Sequence, residues 1–191
     1  MNKTLQLTLA AMFVALMIVG ARIGVPLPGI SEDYFTLQFL VALMAGLLLG
    51  SKLGAISMGA YLALGLIGVP VFAAGGGLAY VVRASFGYLV GFAATAFAVG
   101  FIVEKTKTNS IKGYWLACVC GLIVCYGIGL PYEYVITKYF AGNSNVAMLA
   151  IFLDCFPIDF PGDCILTVIG AALAYRLRPV LLREGQIPGR A

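Results

Sequence analysis

Ala84-Ser-Phe-Gly-Tyr-Leu-Val-Gly-Phe-Ala-Ala-Thr-Ala-Phe-Ala-Val-Gly-Phe-Ile-Val103 runs for twenty residues without a charge and is closed by Glu104-Lys105. As a helix it extends about 30 Å, the thickness of the hydrocarbon core of a bilayer. Similar nearly uncharged runs lie at 5–24, 35–50, 53–69, 113–130 and 164–182. The run 35–50 is short and calls for tilt or local bilayer thinning. Val146 to Phe156 is apolar but too short to span and carries Asp154 near its end, so it is expected as a partial or surface helix.

Composition agrees with this reading. The chain has 191 residues, 62% hydrophobic and 10% charged, with a mean hydropathy of +1.02, outside the range of soluble domains. The expectation is an all-α integral membrane protein with six transmembrane helices, one membrane-embedded domain over residues 1–191. The net charge of +4 comes from twelve Lys and Arg scattered singly at the ends of apolar runs. That is a pattern of membrane orientation and not a nucleic-acid footprint. The start, Met-Asn-Lys and then Leu5 to Ala21, imitates a signal peptide, but the run is long for a signal core and the topology needs it, so it is expected to be retained as a helix.

With six spans, Lys3, Lys52, Lys105, Lys107, Lys112, Arg176, Arg178, Arg183 and Arg190 fall on one side, expected to be cytoplasmic together with both termini. Arg22, Arg83 and Lys138 fall on the other, with Glu32, Asp33, Glu133, Asp154, Asp159 and Asp163. Five or seven spans would scatter the signs. Pro26, Pro28, Pro70, Pro131, Pro157 and Pro161 all lie in the expected outer connections, since proline resists the helix interior. Irregular backbone at membrane depth needs protein or water to satisfy it, so the outer loops are expected to form a ligand pocket.

Three outer segments carry polar or glycine-rich chemistry: Val25 to Gln38, Gly68 to Gly77, and Asp154 to Asp163. Polar groups near lipid face a cavity or one another. Gly75-Gly76-Gly77 permits close backbone approach to a ligand, or is simply a flexible turn. Asp163, after Pro161-Gly162, stands at the expected start of the last helix, either as a cap on its first N–H groups or as a ligand acceptor.

Several chemistries are excluded. Gly46-Leu-Leu-Leu-Gly50-Ser51-Lys52 imitates a phosphate loop, but the spacing and the order of Ser and Lys are wrong. Cys118, Cys120, Cys125, Cys155 and Cys164 form no CxxC, and there is no His, so no metal site is expected and the cysteines read as small buried hydrophobes. With no nucleophile beside a base and no paired acids on a regular helix face, no catalytic residues and no cofactor are expected. Ala11 and Ala15 form a small-xxx-small pair that admits another helix or serves internal packing, and Gly46/Gly50, Gly50/Gly54 and Gly87/Gly91 satisfy the same pattern.

Phe35-Thr-Leu-Gln38, Gly46 to Gly54, Tyr61-Leu, Gly65-Leu-Ile-Gly68-Val-Pro70-Val-Phe72-Ala73, Gly75-Gly-Gly77 and Phe86-Gly-Tyr88-Leu-Val-Gly91-Phe92 together resemble the BioY family of biotin-specific S-components of energy-coupling-factor transporters. The likeness covers nearly the whole chain. It implies a six-helix subunit of the plasma membrane that takes biotin from outside, as transported ligand, and works with a transmembrane coupling subunit and two ATPase subunits in membrane lipid. It also implies that Ala11 and Ala15 meet the coupling subunit.

Two departures stand out. Ala84-Ser85-Phe86-Gly87-Tyr88 replaces a Pro-Thr-Gly-Gly-Tyr pattern, and Leu166 occupies the place of a Lys three residues after the acidic residue of Pro-Gly-Asp. A lysine that would hold a carboxylate is therefore missing, and its role is expected to pass to Arg83. The resulting expectation gives Asp163 the ureido N–H groups of biotin, Tyr88 and Gln38 its polar edges, Phe72 and the Gly75–Gly77 backbone an apolar wall, and Arg83 either the tail or the balancing of Asp163. An S-component for another vitamin shares the scaffold and is the nearest alternative. A membrane enzyme would show clustered acids or bases at one depth, and a channel repeated polar residues along several helices.

Overall fold

The uncharged run from residue 84 folds as α4 (Phe86–Thr106), and the other long helices are α1 (Lys3–Arg22), α5 (Ile111–Tyr139) and α7 (Asp159–Arg183). These four are long and apolar enough to cross a membrane. The computed structural model describes residues 2–26, 34–140, 147–155, 158–185 and 187. Pro28, Glu32, Asp33, Pro157 and Arg190, and the side chains of Asp154 and Cys155, lie outside the described residues.

The runs at 35–50 and 53–69 give shorter helices, α2 (Gln38–Leu49) and α3 (Ser51–Leu66). At twelve residues α2 is about 18 Å long. Ten of its twelve residues are buried, so it is a core element wrapped by other helices and is apolar on all sides. The rest of the run becomes β2 (Tyr34–Thr36), which pairs antiparallel with β1 (Gly24–Pro26), Val25 opposite Phe35. A short α6 (Met148–Cys155) occupies the apolar stretch expected as a partial helix.

Two prolines correct the expected boundaries. Pro131 lies inside α5 and not in a connection. The buried face Tyr126, Gly129, Glu133, Ile136, Thr137 continues past it at helical spacing, and that packing outweighs a proline cost of about 3 kcal/mol. Pro161 is the third residue of α7, where the backbone N–H has no intrahelical acceptor in any case, so the helix starts five residues before the expected 164. Asp163 therefore stands one turn inside the helix, and the N-cap position belongs to Ile158. Asp159 and Asp163 come to lie four residues apart on one helix, contrary to the expectation of no paired acids on a regular face.

At the centre, α4 packs against α2, α3 and α5, while α7 packs against α2 and α5, and α1 against α2 and α3. Close approach is bought with glycine. A Cβ on Gly46 would stand 2.5 Å from the Ala96 carbonyl oxygen, and one on Gly100 would stand 2.3 Å from the Ser51 nitrogen. The small-residue pairs of α2 to α4 thus serve internal packing, whereas Ala11 and Ala15 are exposed.

Polar contacts fix the two ends of the bundle. At one end α2 turns into α3 through Gly50 at φ 84, and Glu104 at the end of α4 accepts from the Ser51 N–H and from Ser51 Oγ, both at 2.7 Å. This carboxylate stabilises the start of α3, where unpaired N–H groups and the helix dipole favour negative charge. Gln6 of α1 lines the same crevice. The phosphate-loop imitation is thus a helix junction held by a side chain of its own chain. At the other end Arg22, closing α1, donates to the Pro70 carbonyl beyond α3.

Candidate functional site

The end of the bundle that holds Arg22 and Pro70 gathers the polar residues of the apolar runs into two groups. In the first, Thr36 Oγ1 donates to Gln38 Oε1 at 3.3 Å, Gln38 Nε2 to the Tyr61 hydroxyl at 2.7 Å, and that hydroxyl to the Val71 carbonyl at 3.1 Å. All three side chains are buried. Buried polar groups are costly without partners, and this chain satisfies each in turn while tying β2, α2 and α3 to the loop that follows.

That loop is packed, not slack. Phe72 is fully buried, its ring 5.4 Å from that of Tyr61 and 4.6 Å from that of Tyr80. It fills the place a side chain at Gly65 would occupy, since a Cβ there would fall 2.0 Å from the ring. Phe72 and Gly75 exchange both backbone hydrogen bonds, and the Gly77 N–H donates to the Gly65 carbonyl at 2.7 Å. Gly75 and Gly77 take φ of 121° and 100°, a region that favours glycine. A Cβ on Gly76 would lie 2.3 Å from the Val69 carbonyl oxygen. All three glycines of the triplet thus have a conformational or steric reason, in a turn held against the backbone of Gly65 and Val69. The chain then makes a 3-10 turn (Leu78–Val82), and the Arg83 guanidinium lies 5.6 Å from the Tyr80 ring centre.

The second group joins α4, α5 and α7. The Tyr126 hydroxyl donates to Asp163 Oδ2 at 3.1 Å, and the Tyr88 hydroxyl to Glu133 Oε2 at 2.9 Å. The rings of Tyr88 and Tyr126 meet edge to face at 5.8 Å, and Tyr126 meets Phe160 at 5.6 Å. Asp163 is 7% exposed and Glu133 1%, so two carboxyl groups sit in an apolar interior with tyrosine hydroxyls as donors. Gly129 admits the Tyr88 ring, because a Cβ there would fall 2.5 Å from it.

β2 links the two groups. Its Phe35 ring lies against Gly162, where a Cβ would be 2.5 Å away, and the next residue, Thr36, begins the hydrogen-bonded chain to Gln38. A second link runs from the Tyr132 hydroxyl to the Val81 carbonyl. The structure therefore brings Asp163 and Tyr88 together through Tyr126, and Gln38, Phe72, the glycine triplet and Arg83 together through Tyr61 and Tyr80. Arg83 contacts Tyr80, and no ion pair joins it to Asp163 among the described residues.

Tyr126 has no place in the sequence reading, Glu133 enters it only as one of the outer acids, and Tyr61 only as part of the family likeness. A signal existed for Tyr126, a lone hydroxyl amid apolar residues that must find a partner in lipid. With Pro131 expected in a connection, Glu133 reads as a loop acid, whereas α5 carries it on a buried helix face. Among the described residues, no cluster of three metal-ligating side chains occurs.

A model of the BioY family matches residues 1–183. A probable biotin transporter BioY of Lysinibacillus sphaericus is 39% identical over 179 residues, covering 94% of this chain and 89% of its own. The biotin transporter BioY of Lactococcus lactis is 33% identical, covering 93% and 92%. A crystal structure of the S-component for biotin from an ECF-type ABC transporter superposes with a TM-score of 0.79 at 31% identity, covering 94% of this chain and 95% of that one.

Proposed function

The chain belongs to the BioY family, and from that premise we propose that it is a biotin-binding S-component of an ECF-type uptake transporter, a multi-pass protein of the plasma membrane. The observation that carries this reading is the buried Tyr126–Asp163 pair. Tyr126 occupies Oδ2 and leaves lone pairs of the Asp163 carboxylate for the ureido N–H groups of biotin. Charge-assisted hydrogen bonds in such surroundings are roughly twice as strong as neutral ones. Tyr88 and Gln38 supply polar edges, the Gly75–Gly77 backbone and Phe72 form and support an apolar wall, and Arg83 meets the carboxylate tail in place of the lysine that Leu166 replaces.

The topology in this reading has six passes, α1 to α5 and α7, with α6 outside the count, both termini cytoplasmic, and one membrane-embedded domain. The alternation of ends supports it: Gln6, Ser51 and Glu104 meet at one end, Arg22 and Pro70 at the other. A transmembrane coupling subunit docks on the exposed side of α1 at Ala11 and Ala15, and two ATPase subunits drive the cycle; the likeness to the biotin S-component of an ECF-type ABC transporter supports this. The test is mass spectrometry of small molecules released from the purified protein. Biotin is the expected species, and another vitamin in its place overturns the substrate.

A further inference from the structure

Glu133 is the most enclosed carboxyl group among the described residues, at 1% exposure. It stands two residues beyond Pro131, and α5 continues through that proline to carry it inward. A carboxyl group in an apolar bundle is costly, and such groups in membrane helices tend to serve a function. Glu133 is not among the residues assigned above to biotin.

The Tyr88 hydroxyl donates to Glu133 Oε2 at 2.9 Å, and the neighbouring helices hold Tyr88 in that place. Its ring lies over Gly129, where a Cβ would fall 2.5 Å away, and it meets the Tyr126 ring edge to face at 5.8 Å. Gly129 and Glu133 are four residues apart, about 6 Å along the helix, a distance that a phenol spans from ring to oxygen. Gly87 brings α4 close to the same turn, since a Cβ there would fall 2.4 Å from the Tyr132 side chain.

A phenol hydroxyl has one proton and both donates and accepts, whereas an ionised carboxylate only accepts. Tyr88 therefore commits its proton to Glu133 and turns lone pairs toward any other group that reaches its oxygen. Tyr88 is half-buried, so a ligand can reach it, while Tyr126 beside it is buried and donates to Asp163. Both tyrosine–carboxyl pairs thus present acceptors at this end of the bundle, one from α4 and one from α7. We infer that Glu133 is a positioning residue for specificity: by holding the Tyr88 proton it makes Tyr88 an acceptor that takes an N–H of the ligand and rejects a ligand with an acceptor atom there. The inference rests on the placement of Tyr88 and Asp163 beside biotin. The ligand class that satisfies both is a cyclic urea with a proton on each nitrogen.

The test uses biotin and the two cyclic carbamates obtained by replacing one or the other ureido N–H with a ring oxygen. Each is titrated into purified wild type, Glu133→Gln, Tyr88→Phe and the double variant. The ratio of biotin to carbamate affinity is read within one protein, so a general loss of binding or of folded protein cancels. The wild type is expected to bind each carbamate at least about tenfold less tightly than biotin, because two facing acceptors leave both unsatisfied. Gln keeps the shape of Glu133 but can turn an amide N–H toward Tyr88, which frees the hydroxyl proton for the ligand. In Glu133→Gln the ratio for one carbamate is expected to fall about fivefold or more, while the other, facing Asp163, keeps its wild-type ratio. Tyr88→Phe removes the acceptor and is expected to lower the same ratio, and Glu133→Gln to change it less than about twofold further in that background. Wild-type ratios in Glu133→Gln beside a lowered ratio in Tyr88→Phe overturn the role of Glu133 and leave Tyr88 at the ligand. Wild-type affinity and ratios in Tyr88→Phe remove Tyr88 from the site and overturn the inference with it. An equal fall for both carbamates, or an equal effect of Glu133→Gln with and without Tyr88, shows a general loosening of the site and also overturns it.

Discussion

The Tyr126 hydroxyl donates to Asp163 Oδ2 at 3.1 Å, joining α5 to α7 inside an apolar interior. This contact orients the carboxylate. Tyr126→Phe keeps the ring, with its edge contacts to Tyr88 and Phe160, and removes only the donor. The ligand-free protein is expected to lose about 0.5–1.5 kcal/mol of stability, the range for an intramolecular hydrogen bond, and biotin binding to weaken as the carboxyl group loses its fixed position. A thermal melt in detergent reads the first effect and a biotin titration the second. An unchanged melt would show that the contact contributes nothing.

The other end of the bundle gives the converse pattern. Glu104→Ala removes the carboxylate that holds Ser51 N–H and Oγ, and is expected to cost about 1 kcal/mol, as for a lost helix cap. Biotin affinity should not move, because the two sites lie at opposite ends. A drop in affinity comparable to that of Tyr126→Phe would contradict this separation.

How much of this was legible without the fold differs by feature. The membrane class followed from uncharged runs such as 84–103, because lipid leaves few alternatives to a helix. Boundaries failed at Pro131 and Pro161, where local propensity said loop: tertiary packing carries α5 through Pro131, and the first turn of α7 needs no N–H from Pro161. The three-residue strands β1 and β2 are too short to leave an alternating pattern. Asp163 stood out after Pro161-Gly162, and Gln38 and Tyr88 through the family likeness, but their partners Tyr126, Tyr61 and Glu133 come from other helices. Pairing across helices is a tertiary fact that spacing along one helix does not encode.

Orientation is testable by labelling. In a variant lacking native cysteines, Val69→Cys, exposed after α3, is expected to react with an impermeant thiol reagent in intact cells, and Lys105→Cys, exposed near the end of α4, to stay unreactive until the cells are opened. Equal or reversed labelling contradicts the six-pass topology.

Docking is testable on α1, where Ala11 and Ala15 are exposed while Phe13 and Met17 face the core. Ala11→Trp or Ala15→Trp is expected to leave biotin binding nearly intact and to reduce ATP-driven uptake, because bulk there prevents close helix approach. A parallel fall in binding and uptake would show that the pair serves the internal packing of the chain.

Calorimetric titration of biotin into Asp163→Asn and wild-type protein addresses the central claim most directly. Asp163 lies one turn inside α7, so the substitution leaves no helix cap to lose, and Asn retains one acceptor for Tyr126 while replacing the other carboxylate oxygen by an amide donor. The account predicts binding weaker by about 1.5–3 kcal/mol, roughly ten- to a hundredfold, with a ligand-free melt close to that of the wild type. Wild-type affinity in Asp163→Asn would contradict the assignment of this carboxylate to biotin.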